Sequence, residues 1–452
     1  MDEIELKITE YVDAHRDEFI EMLRSLVKIP SVTGYEKKAQ EFVKEKLAAC
    51  GFGAEFLEPD IKKMFEMFPE VAQIPSIGEE GLDMPLMTED KFTYEQLMAS
   101  EYDRLKSYND RPNIVATLKG KGNGRSLIVN GHIDTVPVGN RAAWTKDPFG
   151  AEICDGKLYG RGAVDMKGGI ATMLGAAQII SDLQIPLSGD LIYETVVNEE
   201  HAGGGALGCV AAGITADAAI IAEPTGENSN VVLDGNGGGV YWEVRIKGKE
   251  AHAGSRWQDG KQFGVSANEK AAVIIGRLIE LEKELNKEQT LMSLCVGKLH
   301  GGTYSTATAP ECVINGVAYF SPLLGTGKDG IIKVKKLIKE AVLNTKDSWL
   351  ESNPPSILFQ HYDDAYLLPE DKRMIRNFVA DAVSDVLGKP VVFSQLPGGC
   401  DARHFGNQAG IPAVVYGPGS IAQAHSTDEY IDIESYIECV KVLTVAIYRW
   451  CK

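Results

Sequence analysis

Apolar residues first recur at helical spacing. Ile4, Ile8, Tyr11, Phe19, Met22, Leu23 and Leu26 mark one helix over residues 3–28, closed by Pro30. A second helix is predicted over 36–50, ending before Gly51. From Asn113 onward, short apolar runs at 113–118, 126–130, 190–197, 218–222 and 412–416 alternate with helical stretches such as 168–183. Apolar strands between helices predict an α/β sheet covered on both faces.

Between about 240 and 360 the texture changes. Residues 241–246 alternate as a strand, 261–286 read as a long helix, and 291–299 and 311–319 as strands. A helix over 328–343 and a strand at 356–359 complete a βαββαβ order, that of a ferredoxin-like domain. It is inserted into the α/β domain, whose sheet resumes near 391. The predicted division is a catalytic domain over 1–237 and 355–452, with the inserted domain at 238–354. GNGGG at 235–239 lacks the spacing and the lysine of a phosphate loop and reads as a hinge. Residues 58–110, rich in Met, Glu, Pro and Asp with a helical patch near 93–107, read as an insertion: a surface elaboration, a lid or an oligomer contact.

Composition narrows the partners. The chain has 452 residues, 44% of them apolar and 24% charged, so two soluble globular domains are expected. A formal net charge of −18 argues against nucleic acid or an anionic membrane as partner. The acidic, amphipathic start is no signal peptide, and no run reaches the ~18 apolar residues of a membrane span. Eight cysteines without CxxC spacing fit free thiols, and a cytoplasmic location is expected.

Hard ligands cluster where predicted strands end. His132 and Asp134 lie in GHIDTVPVG, Asp165 in GRGAVDMKGG, and Glu199 and Glu200 in NEEHAGG. Glu223 lies in AEPT and His425 in AHSTDEY. In open α/β sheets ligands gather beyond the carboxyl ends of strands, so these places can converge. Imidazoles and carboxylates together suit zinc, with cobalt or manganese as alternatives. Each motif alone is commonplace: a structural histidine, a solvated acidic loop, a turn opening a helix.

Taken in order, with KGKEAHAG and GGCDARHFGNQAGIPAVVYGPG, the motifs resemble one family. It is the dinuclear zinc peptidase and deacylase group containing acetylornithine deacetylase, succinyl-diaminopimelate desuccinylase, aminoacylase and the glutamate carboxypeptidases. The resemblance implies a zinc-exopeptidase-like catalytic domain, a mixed sheet flanked by helices, with the ferredoxin-like domain as lid and dimerisation domain. It implies two divalent ions bridged by Asp165, one also held by His132 and Glu223, the other by Glu200 and His425. Asp134 would hydrogen-bond the distal nitrogen of His132. Glu199 would be the general base, delivering the proton later to the leaving amine. Strand alternation would send one of Glu199 and Glu200 toward the metal and the other away. A cis peptide is expected at Asp165–Met166. His252 would supply an oxyanion contact, from the partner subunit of a homodimer.

One region departs from the family pattern. Relatives usually read Asn-x-x-Pro before the third lid strand and end that strand with Asp-x-Arg, residues that help hold a substrate carboxylate. Here Ala307 stands for the asparagine and Phe320, ten residues after Pro310, for the arginine. A phenyl ring cannot replace a guanidinium fork. The substrate therefore either lacks an α-carboxylate or has it held elsewhere, with Arg403 and Arg256 as candidates and Gly398 and Gly399 beside them. The expected activity is hydrolysis of a linear amide, foremost deacylation of an N-acyl amino acid or related N-acyl amine. The alternatives are a dipeptidase or carboxypeptidase, a deformylase of an N-formyl amine lacking a carboxylate, and a catalytically silent relative.

Overall fold

The structure is a computed structural model that describes residues 1–69, 71, 93–99 and 106–452. Much of the 58–110 insertion lies outside the described residues. Among the described residues, nine strands build one mixed sheet. Its order is Gly53–Leu57, Asn113–Leu118, Leu191–Val196, Leu127–His132, Ala218–Ile221, Ala413–Val415, Val231–Asn236 and Tyr366–Leu367, with Val392–Leu396 also on Val231–Asn236. Leu127–His132 lies between Leu191–Val196 and Ala218–Ile221 and runs parallel to both. All six of its residues are buried, as a strand covered on both faces requires. Helix Gly168–Asp182 is buried almost all round, with the C-terminal helix Ile433–Cys451 packed on it.

The predicted N-terminal helix is two, Glu3–Ala14 and Arg16–Val27. His15 breaks it: the ring stacks on Tyr11 at 3.9 Å, and its Nδ1 lies 2.9 Å from the Tyr11 carbonyl. Periodicity could not show this, because both helices bury the same face. The strands Gly53–Leu57 and Val231–Asn236 also went unpredicted. The latter includes Gly235 and Asn236 of GNGGG, and the Gly237 N–H donates to the Leu396 carbonyl.

The smaller sheet has the order Met292–Gly301, Glu311–Phe320, Gly238–Lys247, Ser356–Asp363, every neighbour antiparallel. Helices Ala267–Leu285 and Gly327–Leu343 pack on it around a second core containing Trp242, Val244, Ile274, Ile314 and Ile338. This is the βαββαβ order expected. The chain returns to the larger sheet at Tyr366–Leu367 rather than at 355, because Ser356–Asp363 pairs with Gly238–Lys247. At the described ends of the insertion, helix Ile61–Met67 sets Met64 against Leu207 and Ala211. No helix among the described residues is long and apolar enough to cross a membrane. All eight cysteines are unpaired.

Candidate metal centre and active site

Three adjacent parallel strands deliver the first of the candidate ligand residues. His132 ends its own strand, Glu199 and Glu200 follow Leu191–Val196, and Glu223 follows Ala218–Ile221. Asp165 arrives on the turn before helix Gly168–Asp182. That helix starts hard against the Glu223 loop, since a Cβ on Gly169 would lie 2.0 Å from the Ala222 carbonyl. The peptide Asp165–Met166 is cis. His425 comes from the loop after Ala413–Val415. Asn198 (φ 64°) and His425 (φ 60°) both hold left-handed backbone, which non-glycine residues adopt mainly where surrounding structure demands it.

The side chains converge. Asp165 Oδ1 lies 3.1 Å from His132 Nε2, and its Oδ2 lies 3.3 Å from His425 Nε2. Glu223 is 3.4 Å and Glu199 3.9 Å from His132 Nε2, and Glu200 is 2.9 Å from His425 Nε2. One aspartate thus offers an oxygen to each of two imidazoles, with a further carboxylate beside each. The sets His132, Glu199, Glu223 and His132, Asp165, Glu200 each bring donor atoms within 4.8 Å of one another. Burial, with like charges alongside, pushes the Glu199 carboxyl well above its usual range and Glu200 up to about 7. Hydrogen bonds to Asp165 and Glu200 lift His425 to about 11. Crowded buried carboxylates of this kind are what divalent cations neutralise, and the mixed nitrogen and oxygen donors fit such ions.

Both glutamates face the cluster, contrary to the alternation expected of them. Glu199–Ala202 is a helical turn rather than strand, so successive side chains are not sent to opposite sides. Asp134 also differs from expectation. His132 Nδ1 lies 2.9 Å from the backbone carbonyl of Asp134, whereas the carboxylate is 3.7 Å away. The Asp134 carboxylate instead accepts the N–H groups of Glu199 and Glu200 (3.1 and 3.3 Å) and the Thr33 hydroxyl (2.8 Å). It carries the backbone of the glutamate pair.

Two further supports carry no signature in the sequence. Buried Glu36 takes a bidentate bond from Arg111 (3.0 and 2.6 Å), and Arg111 also donates to Asn198 Oδ1 at 3.2 Å, one residue before Glu199. Glu429 accepts from Arg161 Nη1 (2.6 Å) and from the N–H groups of Gly162, Val164 and Asp165. It pins the Asp165 loop from the segment that carries His425. The only available hint was the cost of burying a charge: such residues need partners, but the sequence does not say which.

The sequence profile of Peptidase family M20/M25/M40 matches residues 128–449. The chain belongs to this family. A relative from Halalkalibacterium halodurans, N-formyl-4-amino-5-aminomethyl-2-methylpyrimidine deformylase, is 30% identical over 386 residues, 79% of this chain and 87% of that one. Acetylornithine deacetylase of Myxococcus xanthus is 30% identical over 351 residues, 76% of this chain and 85% of its own. A tripeptidase of Staphylococcus aureus shares the fold, with TM-score 0.69 at 21% identity, covering 96% of this chain and 98% of that one. The M20 chain is a metallohydrolase of amide bonds.

A cavity of about 660 Å³ joins the carboxylate cluster to the smaller domain, lined among others by Tyr241, Tyr319, Asp363, Gly398, Gly399 and Arg403. Phe320 borders it too, but only 1% of the residue is exposed. Its ring turns into the core of the smaller domain, so close to Gly238 that a Cβ there would lie 2.3 Å away. Alternation then points Tyr319 toward the cavity. Arg403 is buried, 2.9 Å from Asp363 and 3.6 Å from Asp364, with Gly203 and Gly399 leaving room for its guanidinium. Arg256 forms a bidentate pair with Glu269 and does not line the cavity. His252 is exposed on the smaller domain, its backbone bridged to Ala307, and is not brought to the cluster within one subunit.

Proposed function

We propose that this M20 chain removes the acyl group from an N-acyl amine that lacks an α-carboxylate, a formyl group foremost. The observation that carries the choice is the Arg403–Asp363 pair. A guanidinium already facing two aspartates is poorly placed to hold a substrate carboxylate, and the position expected to carry a second arginine is a buried Phe320. The likeness to the deformylase points the same way. Deacylation of N-acyl amino acids, and dipeptidase or carboxypeptidase activity, are the competing uses of the same cluster.

His132, Asp165 and Glu223 would hold one divalent ion, and Asp165, Glu200 and His425 the other. Zinc suits these donors, as do cobalt and manganese. Bound there, such ions polarise the amide carbonyl and make water acidic enough to attack. Glu199, half-buried beside His132, takes the proton from the attacking water and returns it to the leaving nitrogen. Asp134 keeps Glu199 in place through its backbone N–H. His252 from the partner subunit of a homodimer would contact the carbonyl oxygen, in keeping with its exposure and its distance from the cavity lining. The unpaired cysteines accord with a cytoplasmic enzyme.

The test is a panel of N-formyl, N-acetyl and N-succinyl amines, each with and without an α-carboxylate, plus dipeptides. Chelated protein and protein reloaded with zinc, cobalt or manganese are compared. Metal-dependent turnover favouring formyl amines without a carboxylate is expected. A strong preference for the carboxylate form would overturn the assignment.

A further inference from the structure

Gln395 comes to the cavity from the larger domain with its polarity already fixed. It lies on Val392–Leu396, the strand that pairs with Val231–Asn236, and lines the cavity next to Leu396, Pro397, Gly398 and Gly399. The register of that pair shifts between Ser394 and Leu396, so Gln395 alone stands opposite both Asp234 and Gly235. A bulge of this kind re-aims a side chain. Here the Gln395 amide meets Asp234, its Nε2 donating to Oδ1 at 2.9 Å. The other oxygen of the buried Asp234 accepts from Arg376 Nη1, also at 2.9 Å. The Arg376 guanidinium in turn lies 4.4 Å from the centre of the Phe393 ring.

These bonds decide which end of the amide the cavity meets. A carboxylate only accepts, so the amino group of Gln395 has to face Asp234 and the carbonyl oxygen has to face away. Among the described residues none donates to Gln395 Oε1, and the atom is not buried, so it is left to whatever occupies the cavity. The hydroxyls of Thr290 and Ser293, also in the lining, can turn to donate or accept and discriminate little. Arg403 is engaged by Asp363 and Asp364. Behind Gln395 the charges of Arg376 and Asp234 cancel, so what reaches the cavity is a neutral carbonyl dipole.

Building on the amide-hydrolase reading, we propose that Gln395 Oε1 accepts a hydrogen bond from the amine half of the substrate and selects an uncharged donor there. A hydroxyl or a carboxamide N–H fits; an ether, an ester or a carboxylate does not. A group that only accepts would set oxygen against oxygen and leave both unpaired once water is expelled. The substrate class is an N-acyl amino alcohol or N-acyl amino amide. Gln395 is then a specificity-determining residue, and Asp234 and Arg376 are positioning residues that keep its amide from turning over.

Two measurements on the metal-loaded protein test this. The first compares kcat/KM across a series of N-formyl ω-amino alcohols of increasing chain length, each against its O-methyl ether. The second is calorimetric binding of the corresponding free amines. At the length that reaches Gln395, the alcohol should be preferred by about tenfold in both, the worth of one hydrogen bond kept rather than lost. Gln395→Met, at a half-buried position, keeps the length of the side chain without its acceptor and should bring the ratio to about one. Asp234→Asn lets the amide turn either way and should lower the ratio by roughly threefold, with bound metal unchanged by elemental analysis. A loss of stability alone would lower turnover of alcohol and ether together and leave their ratio where it was. Equal treatment of alcohol and ether at every length in the parent protein, or a ratio untouched by Gln395→Met, would overturn the assignment. Absence of turnover on every N-acyl amine would instead overturn the hydrolase reading, while amine binding would still report on Gln395.

Discussion

Replacing Glu429 by alanine removes a carboxylate that accepts from Arg161 Nη1 at 2.6 Å and from the N–H groups of Gly162, Val164 and Asp165 at 3.1, 3.0 and 3.2 Å. Arg161 is 3% exposed and Glu429 1%, so solvent screens this pair little. Stranding one partner of a buried ion pair costs about 3–5 kcal/mol. Three backbone donors also lose their acceptor, at roughly 1–3 kcal/mol each if nothing replaces it. Water entering the vacated space will recover part of this, so a net loss on the order of 5 kcal/mol is expected. Glu429→Gln keeps the volume and one carbonyl oxygen and should cost about half as much. The assay is urea unfolding of both variants, metal-stripped and metal-loaded, together with a zinc titration. Because the pinned loop carries Asp165, zinc affinity should fall about 10–100-fold, as for other residues that orient metal ligands. A Glu429→Ala protein within about 1 kcal/mol of the parent, with unchanged zinc affinity, would refute the idea that this carboxylate holds the loop.

Glu199→Ala should lower kcat by about 10²–10⁴ while the bound metal, counted by elemental analysis, stays the same; parallel loss of metal would make Glu199 a ligand instead. Zinc added to chelated protein should raise its melting temperature in a concentration-dependent way, since ions bound only by the folded state stabilise it. A temperature unmoved by zinc would count against the cluster as a metal site. Glu194 is fully buried, and burial lifts its carboxyl to about 8, with the Asn130 amide opposing. The folded state then keeps a proton that the unfolded chain loses above about 4.5, so this residue makes stability fall as pH rises from about 4.5 to 8. Glu194→Gln should remove that decline, gaining roughly 2–3 kcal/mol on the parent between pH 5 and 7 in paired urea melts. Parallel pH profiles would show that Glu194 is not held protonated.

The convergence of the cluster could be read from the sequence because His132, Glu199, Glu200 and Glu223 stand at or just beyond the carboxyl ends of strands, with Asp165 and His425 on loops further along the chain. What held those residues could not. Glu36 meets Arg111 and Glu429 meets Arg161 across long stretches of chain, and a buried carboxylate carries no mark of its partner. The family resemblance implies a bond between the Asp134 carboxylate and the His132 ring. The contest between its carbonyl and its carboxylate for that ring is settled by geometry of a few tenths of an ångström. Glu199 and Glu200 were read as continuing a strand, whereas the left-handed Asn198 starts a helical turn there. Phe320 ends the strand Glu311–Phe320, where counting from Pro310 puts it, but the count does not say which face it takes. Its ring takes the face turned to the core of the smaller domain.

The smaller domain leaves and rejoins the larger one at neighbouring points. Asn236 pairs with Tyr366 in one sheet, and three residues on, Gly239 pairs with Asp363 in the other. The cut ends therefore lie one strand spacing apart, roughly 5 Å. A short turn could join Asn236 to Tyr366 and leave the nine-stranded sheet and all the clustered carboxylates on one continuous chain. The smaller domain, which contributes Tyr241, Tyr319 and Asp363 to the cavity wall, is thus a cassette. It can be excised, exchanged with that of a relative or redesigned, and the reaction centre beneath it keeps its own wiring.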